Sequence, residues 1–224
     1  MKTYDAAIVG AGIVGAACAA SLSSAGLKVL VIERTGIASG TTAAGMGHIV
    51  VMDDSEAQFA LTHYSQQLWN RLVPELPESA EFKNCGTIWI ASCEEEMTEV
   101  QRKNELYSRC GVHSEVLDER SVRDTEPNLR PGLAGGLLVE GDLVIYQLFG
   151  TRFLLENAKR DGCEVLIGKT AVELTETGVR LTDGQFIPVG MIINAAGVAA
   201  ADLSPGLDIV KRKGHLAITD RYPN

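Results

Sequence analysis

The chain has 224 residues, 46% of them hydrophobic and 22% charged, enough apolar material for one large domain or two small ones. A formal net charge of −9 at pH 7 disfavours a nucleic-acid surface, since the basic residues cluster only at Lys211, Arg212 and Lys213. Five cysteines without a C-x-x-C pair and four scattered histidines suggest neither a disulfide framework nor a metal site, and a cytoplasmic small-molecule enzyme with reduced thiols is expected.

The first element is read from "YDAAIVG", a buried strand, followed by the turn "GAGIVG", a small-residue helix over residues 16–25 ending at Gly26, and a second strand, "LKVLVIE". Lys2 and the alanines imitate a secretion signal weakly. Asp5 interrupts the approach, however, and the glycines would weaken an apolar signal helix. In G-x-G-x-x-G, Gly10 permits the tight turn, Gly12 lets the backbone approach a pyrophosphate, and Gly15 lets helix pack on strand. The helix N-terminus adds unpaired N–H groups and a positive dipole end for that anion. Glu33, at the end of the second strand, is placed to accept a ribose hydroxyl. Arg34 would suit a 2′-phosphate, which Glu33 repels, so NADP is disfavoured.

The loop "SGTTAAGMGHI", residues 39–49, offers the Thr41 and Thr42 hydroxyls to phosphate, with Gly45 and Gly47 allowing close approach of a large cofactor. In "SEAQFALTHYSQQLWNRLV" the spacing predicts an amphipathic helix whose core face carries Phe59, Tyr64, Leu68, Trp69 and Leu72, ended by Pro74 and Pro77. Residues 81–143 read as a strand, a charged helix and a return strand. There Glu94, Glu95 and Glu96 make a solvated, dipole-favoured helix start. A further helix ends at Gly162 and leads through "CEVLIG", "TAVELTE" and "GVRLTD" to "GMIINAAGVAAADL", an apolar strand stopping at Ala195, Ala196 and Gly197, where small residues admit a ligand.

These stretches, with "CGTIWIASCEEE", resemble the D-amino-acid oxidase family of FAD-dependent oxidoreductases, most of all members of glycine oxidase, opine oxidase and D-hydroxyproline dehydrogenase type. The resemblance implies an α/β fold: a Rossmann-like FAD-binding domain, residues 1–80 and 144–208, interleaved with a partial α+β substrate domain, residues 81–143 and 209–224. It implies FAD held by Gly10, Ala11, Gly12, Ile13, Val14, Gly15, Glu33 and Arg34, by the loop Thr41, Thr42, Ala43, Ala44, Gly45, Met46, Gly47 and His48, by the backbone of Val172, and by Ala195, Ala196 and Gly197. His48 is the candidate catalytic residue, facing flavin or substrate.

In that family a hydride leaves the carbon bearing the amine for flavin N5, and water opens the resulting imine. Candidate substrates are D-amino acids, glycine, sarcosine, hydroxyproline and opines, with oxygen or a quinone as electron acceptor. The family's carboxylate-clamping Arg and Tyr are expected beyond "KRKGHLAITDRYPN", and Arg221 and Tyr222 do not match them. A fragment of a longer enzyme, or a cofactor-binding subunit completed by another chain, is therefore expected, with an open strand edge favouring self-association or weak flavin binding. An NAD-linked dehydrogenase is a further reading, which has less need of the second wrapping loop.

Overall fold

The computed structural model describes residues 3–210, 212 and 214–216. Apolar residues on both faces make β1 (Tyr4–Val9) an interior strand, with Ala6, Ala7 and Ile8 wholly shielded from solvent. After the glycine turn, α1 (Ile13–Ser24) begins three residues before the expected start, with Gly12 as its N-cap. Its buried Gly15, Ala16 and Ala19 are small enough for close packing. β2 (Val29–Glu33) then runs parallel to β1, in register from Ala6 opposite Val29 to Val9 opposite Ile32.

From Gly47 to Tyr146 the chain builds a second compact unit, while Met1–Met46 and Gln147–Asn224 form the first. The second unit holds β3 (His48–Ile49), α2 (Glu56–Leu72), β4 (Thr87–Ala91), α3 (Glu94–Arg109), β5 (Glu115–Asp118), α4 (Glu119–Thr125), β6 (Gly135–Val139) and β7 (Leu143–Val144). The boundary after residue 80 expected from the sequence is thereby corrected. Phe59 of α2 packs with Val100, Leu137 and Val139, so residues 47–80 belong with the sheet β4-β6-β5 and not with β1 and β2. The closing boundary falls after Tyr146, beyond the expected 143.

The face expected on α2 is also revised. Phe59 is buried, but Tyr64 is 58% and Leu68 38% exposed. At about 100° per residue, Tyr64 stands some 140° around the helix from Phe59, whereas the buried Gln66, seven residues on, returns to its side. Ser55 caps this helix, its hydroxyl accepting the Gln58 N–H at 3.2 Å. The three glutamates lie in the first turn of α3 as expected. β5 and α4, absent from the sequence reading, are joined by Asp118, whose carboxylate accepts the Ser121 N–H at 2.7 Å.

The first unit continues with α5 (Gln147–Arg160), β8 (Glu164–Ile167), β9 (Ala171–Thr175), β10 (Gly178–Leu181), β11 (Phe186–Asn194) and α6 (Ala200–Leu203). Its sheet runs β8-β2-β1-β11-β10-β9. The first four strands are parallel, and α1 packs beside α5. β11 serves twice: its first residues pair antiparallel with β10, its last parallel with β1. Leu30 and Ile32 of β2 pack with Ala171, Val179, Leu181 and Ile187, so the β9–β11 meander closes over the parallel strands. This is the doubly layered arrangement of an α/β nucleotide fold.

The described residues from 209 onward group with the first unit, not with the second as expected. Residues 211, 213 and 217–224, with Arg221 and Tyr222, lie outside the described residues. Among the described residues, no helix is long and apolar enough to cross a membrane, and no group of three or more His, Cys, Asp or Glu could hold a metal ion.

Candidate cofactor site

At the C-terminal ends of β1, β2 and β11 the first unit opens a cradle lined by backbone. Gly10 takes φ +110°, and a side chain there would meet the Ala195 carbonyl oxygen and stand 3.2 Å from the Ala196 Cα. The two strand ends are therefore pressed together, and the Ala195 N–H donates to the Val9 carbonyl at 2.9 Å. Ala195 and Ala196 thus form one wall, and Gly197, at φ +58°, stands beside the Thr41 hydroxyl. Asn194 braces this turn: its amide donates to the Ala200 carbonyl at 2.9 Å and the Ser204 hydroxyl at 2.8 Å, and its oxygen accepts the Ala196 N–H at 3.4 Å.

The N-terminus of α1 faces the loop that follows. Gly12 provides no side-chain cap and the first turn holds no acidic residue. Thr42 supplies the missing partner, its hydroxyl oxygen accepting the Ile13 N–H at 3.0 Å. That hydroxyl keeps its own proton for another acceptor, so helix dipole, amides and hydroxyl converge as an anion site needs. The loop itself is held from α5, where the Gln147 amide donates to the Gly45 carbonyl at 2.6 Å. Ala43, Ala44, Gly45 and Met46 are exposed, Met46 at 62%. Val14 is exposed at 63%, and Arg34 is exposed as well.

Glu33, buried at 7% exposure, holds two segments at once. One carboxylate oxygen accepts the Ala11 N–H at 2.8 Å; the other accepts the Thr35 N–H at 2.8 Å and its hydroxyl at 3.0 Å. Burial acts to raise the pKa of this carboxyl, but the hydrogen bonds from Ala11, Thr35 and Gly36 outweigh it, and the net shift is downward. A folded-state pKa below the unfolded one contributes stability above the unfolded value, about 4.3, and that stability is lost as pH falls through the folded value. Glu33→Gln is accordingly expected to lower the melting temperature at pH 7 and to converge with the parent chain below about pH 4. Paired thermal melts across that range check this, and a constant gap would contradict it.

Val172 is the remaining expected contact. β9 is an edge strand, and its pairing slips: Arg180 faces Glu173 and Leu181 faces Ala171, so Val172 has no residue opposite. Such a bulge frees a backbone for other partners. The Lys169 N–H donates to the Glu33 carbonyl at 3.1 Å, tying this segment to the end of β2. Gly47 and His48, by contrast, begin the second unit, where His48 pairs with Val144 across β3 and β7. The structure thus gathers residues 10–15, 33, 41, 42, 172, 195, 196 and 197 in one unit. Thr35, Ser39, Gln147 and Asn194 were missed, although a threonine two residues after an acid is a recognised turn signal.

This β-turn-α cradle with a terminal acid defines a dinucleotide-binding domain. Residues 5–224 match the DAO family, described as "FAD dependent oxidoreductase", and the chain belongs to that family. It is 24% identical to a glycerol 3-phosphate dehydrogenase of Caloramator mitchellensis, over 97% of this chain and 48% of that protein. It is 26% identical to the hydrogen cyanide synthase subunit HcnC of Pseudomonas protegens, over 100% of this chain and 66% of that protein. The chain therefore spans less than two thirds of either relative. Among solved structures, glycine oxidase from Geobacillus kaustophilus superposes with a TM-score of 0.81 at 24% identity, over 91% of this chain and 58% of that one, a likeness of fold.

FAD is the cofactor of the family. The residues fit it: the side-chain-free turn at Gly10 and Gly12, the N-terminus of α1 and the free proton of the Thr42 hydroxyl, whose oxygen holds the Ile13 N–H, suit a pyrophosphate. Glu33 and the freed backbone at Val172 suit an adenosine.

Proposed function

We propose that this chain carries the FAD-binding portion of an oxidoreductase that oxidises the C–N bond of an amino acid or secondary amine. The observation that carries the reading is the union, in one unit, of the glycine turn, the Thr41–Thr42 loop and the Ala195–Gly197 strand end in a chain of an FAD-dependent family. The amine class is supported by the resemblance of residues 39–49 and 190–203 to amine-oxidising members and by the fold likeness to glycine oxidase. When bound, FAD supplies the two-electron acceptor.

The chain's own residues have simpler tasks. Gly10, Gly12 and Gly15 bring backbone close, the Thr42 hydroxyl, held by the Ile13 N–H, offers its proton to phosphate, and Glu33 offers an acceptor to a ribose. His48 is proposed to lie beside flavin or substrate and tune it by charge or hydrogen bonding. On this reading His48→Ala slows flavin reduction about tenfold, the worth of one transition-state hydrogen bond of about 1.4 kcal/mol. Stopped-flow reduction at 450 nm measures it, and an unchanged rate with every competent substrate removes His48 from the site.

The test of the function is the visible spectrum of the purified protein, then anaerobic mixing with glycine, sarcosine, D-amino acids, hydroxyproline and glycerol 3-phosphate. Bleaching by an amine is expected. Bleaching by glycerol 3-phosphate alone would favour oxidation of a C–O bond, a reading to which the dehydrogenase relative points. Bound flavin that no substrate bleaches until a second polypeptide is added would assign the chain as a flavin-holding subunit, as the name of its HcnC relative suggests.

A further inference from the structure

α2 carries two apolar faces. Phe59 anchors the first in the core of the second unit. Counted around the helix from Phe59 at about 100° per residue, Tyr64, Ala57, Leu68 and Leu61 stand at about 140°, 160°, 180° and 200°, on the opposite side. All four are exposed, Leu61 at 69%, Tyr64 at 58% and Leu68 at 38%. Their steps of four, three and four residues are those of a helix-pairing seam. A surface helix needs one apolar stripe, turned inward; a second row of large side chains on the outer face calls for a partner.

The outer stripe is complementary to itself when two copies run antiparallel. A two-fold axis passing between Tyr64 and Ser65 sets Leu61 of each copy on Leu68 of the other, Tyr64 beside Tyr64, and Ala57 against Leu72. The charges at the helix ends agree with this direction. Glu56 lies in the first turn of α2 and Arg71 in the last, both exposed and without an ion pair among the described residues. They flank the same side of the stripe, at about 60° and 120° from Phe59. The two-fold axis keeps that side common to both copies, so Glu56 of one meets Arg71 of the other at each end, offset by about 3 Å along the helix axes. The helix dipoles also run opposed. A parallel pair would instead bring Glu56 to Glu56 and Arg71 to Arg71, which repel.

We propose that the outer stripe of α2 is a self-association surface, on which a second copy of the chain packs antiparallel. Three large side chains on each copy cover less than the roughly 1,200 Å² of a stable interface, so the pair is reversible, with a dissociation constant on the order of 10–100 μM.

The test is sedimentation velocity of the protein from about 1 to 300 μM, where a monomer–dimer equilibrium is expected. Leu61→Asp puts two carboxylates into the seam and weakens the dimer at least about thirtyfold. Leu68→Lys acts in the same way and serves if Leu61→Asp folds poorly, which its melting temperature reveals. Arg71→Glu makes both end contacts repulsive and weakens the dimer about fivefold, as does Glu56→Arg, while the double variant returns to within about twofold of the parent chain. A chain that stays monomeric throughout overturns the proposal. So does a dimer that Leu61→Asp and Leu68→Lys leave intact, which would place the contact on another surface such as an open sheet edge. A double charge variant as weak as the single ones overturns the antiparallel arrangement.

Discussion

Gly15→Ala yields protein without flavin and with a lowered melting temperature. A Cβ at Gly15 would come under 3.0 Å from the Gly10 carbonyl oxygen and stand 3.1 Å from the Gly10 carbonyl carbon, and both are backbone atoms. Gly10 cannot retreat. Its N–H is bonded to the Ile32 carbonyl at 2.9 Å, and its other side is pressed on Ala195. Relief must come from α1 moving off the sheet, which separates the Ile13 N–H from the Thr42 hydroxyl and opens the cradle. Overpacking of this kind costs about 1–3 kcal/mol. Gly26→Ala is the control: its φ is +84°, but nothing lies within 4 Å of an added Cβ. Strain of about 1 kcal/mol follows there, with flavin retained. The ratio of absorbance at 450 and 280 nm, with melts of both variants, checks the pair; a flavin-loaded Gly15→Ala protein would show that α1 need not touch the turn.

Asp142→Leu has the largest effect expected in the second unit. The carboxylate is 2% exposed and gathers two segments: it accepts the Gln66 amide at 2.7 Å and the Val51 N–H at 3.2 Å. Removing it strands these donors in the interior at about 3–5 kcal/mol in all, or roughly 10 °C in melting temperature. Asp142→Asn behaves oppositely, because it keeps the acceptor oxygen and discards a buried charge. Burial raises the pKa of this carboxyl, against the hydrogen bonds from Val51 and Gln66 and the nearby His48, which lower it. A raised acid pKa contributes stability in full below the unfolded value, and the contribution declines as pH climbs through the folded value. The Asn variant should therefore gain on the parent chain from about pH 4 upward, which melts at successive pH values would reveal.

The first βαβ unit was legible because its signals are local: an apolar run, glycines at fixed offsets and an acid at a strand end. What the sequence could not convey depends on distant partners. The orientation of α2 was misjudged because five apolar residues were grouped without respecting their angles, and only Phe59 reaches the core fully. The boundary after residue 46 was missed because Phe59 joins strands far along the chain. β5 and α4 were missed although Asp118 and Ser121 carry an N-cap spacing.

At the site, the glycines and Glu33 were found from spacing, whereas the Thr35–Ser39 pair becomes visible only once Ala38 turns left-handed and folds the loop back on Glu33. Val172 was expected on family resemblance alone, and the register slip on β9 now gives a physical reason for its backbone to be available. His48, close in sequence to the Thr41–Thr42 loop, proves to begin a different unit.

The position of β11 in the sheet has a consequence for biosynthesis. β1 leaves the ribosome well before its neighbour opposite β2, which is β11, with Ala7 facing Ile192. At about 5–20 residues per second, roughly 10–40 s of translation separate the two. Through that interval the glycine turn exists without the Ala195 wall it needs, and one side of β1 presents unpaired amides and carbonyls. The nucleotide cradle is thus completed only when β11 arrives, and FAD can be captured in full only after the meander has emerged and closed over β2.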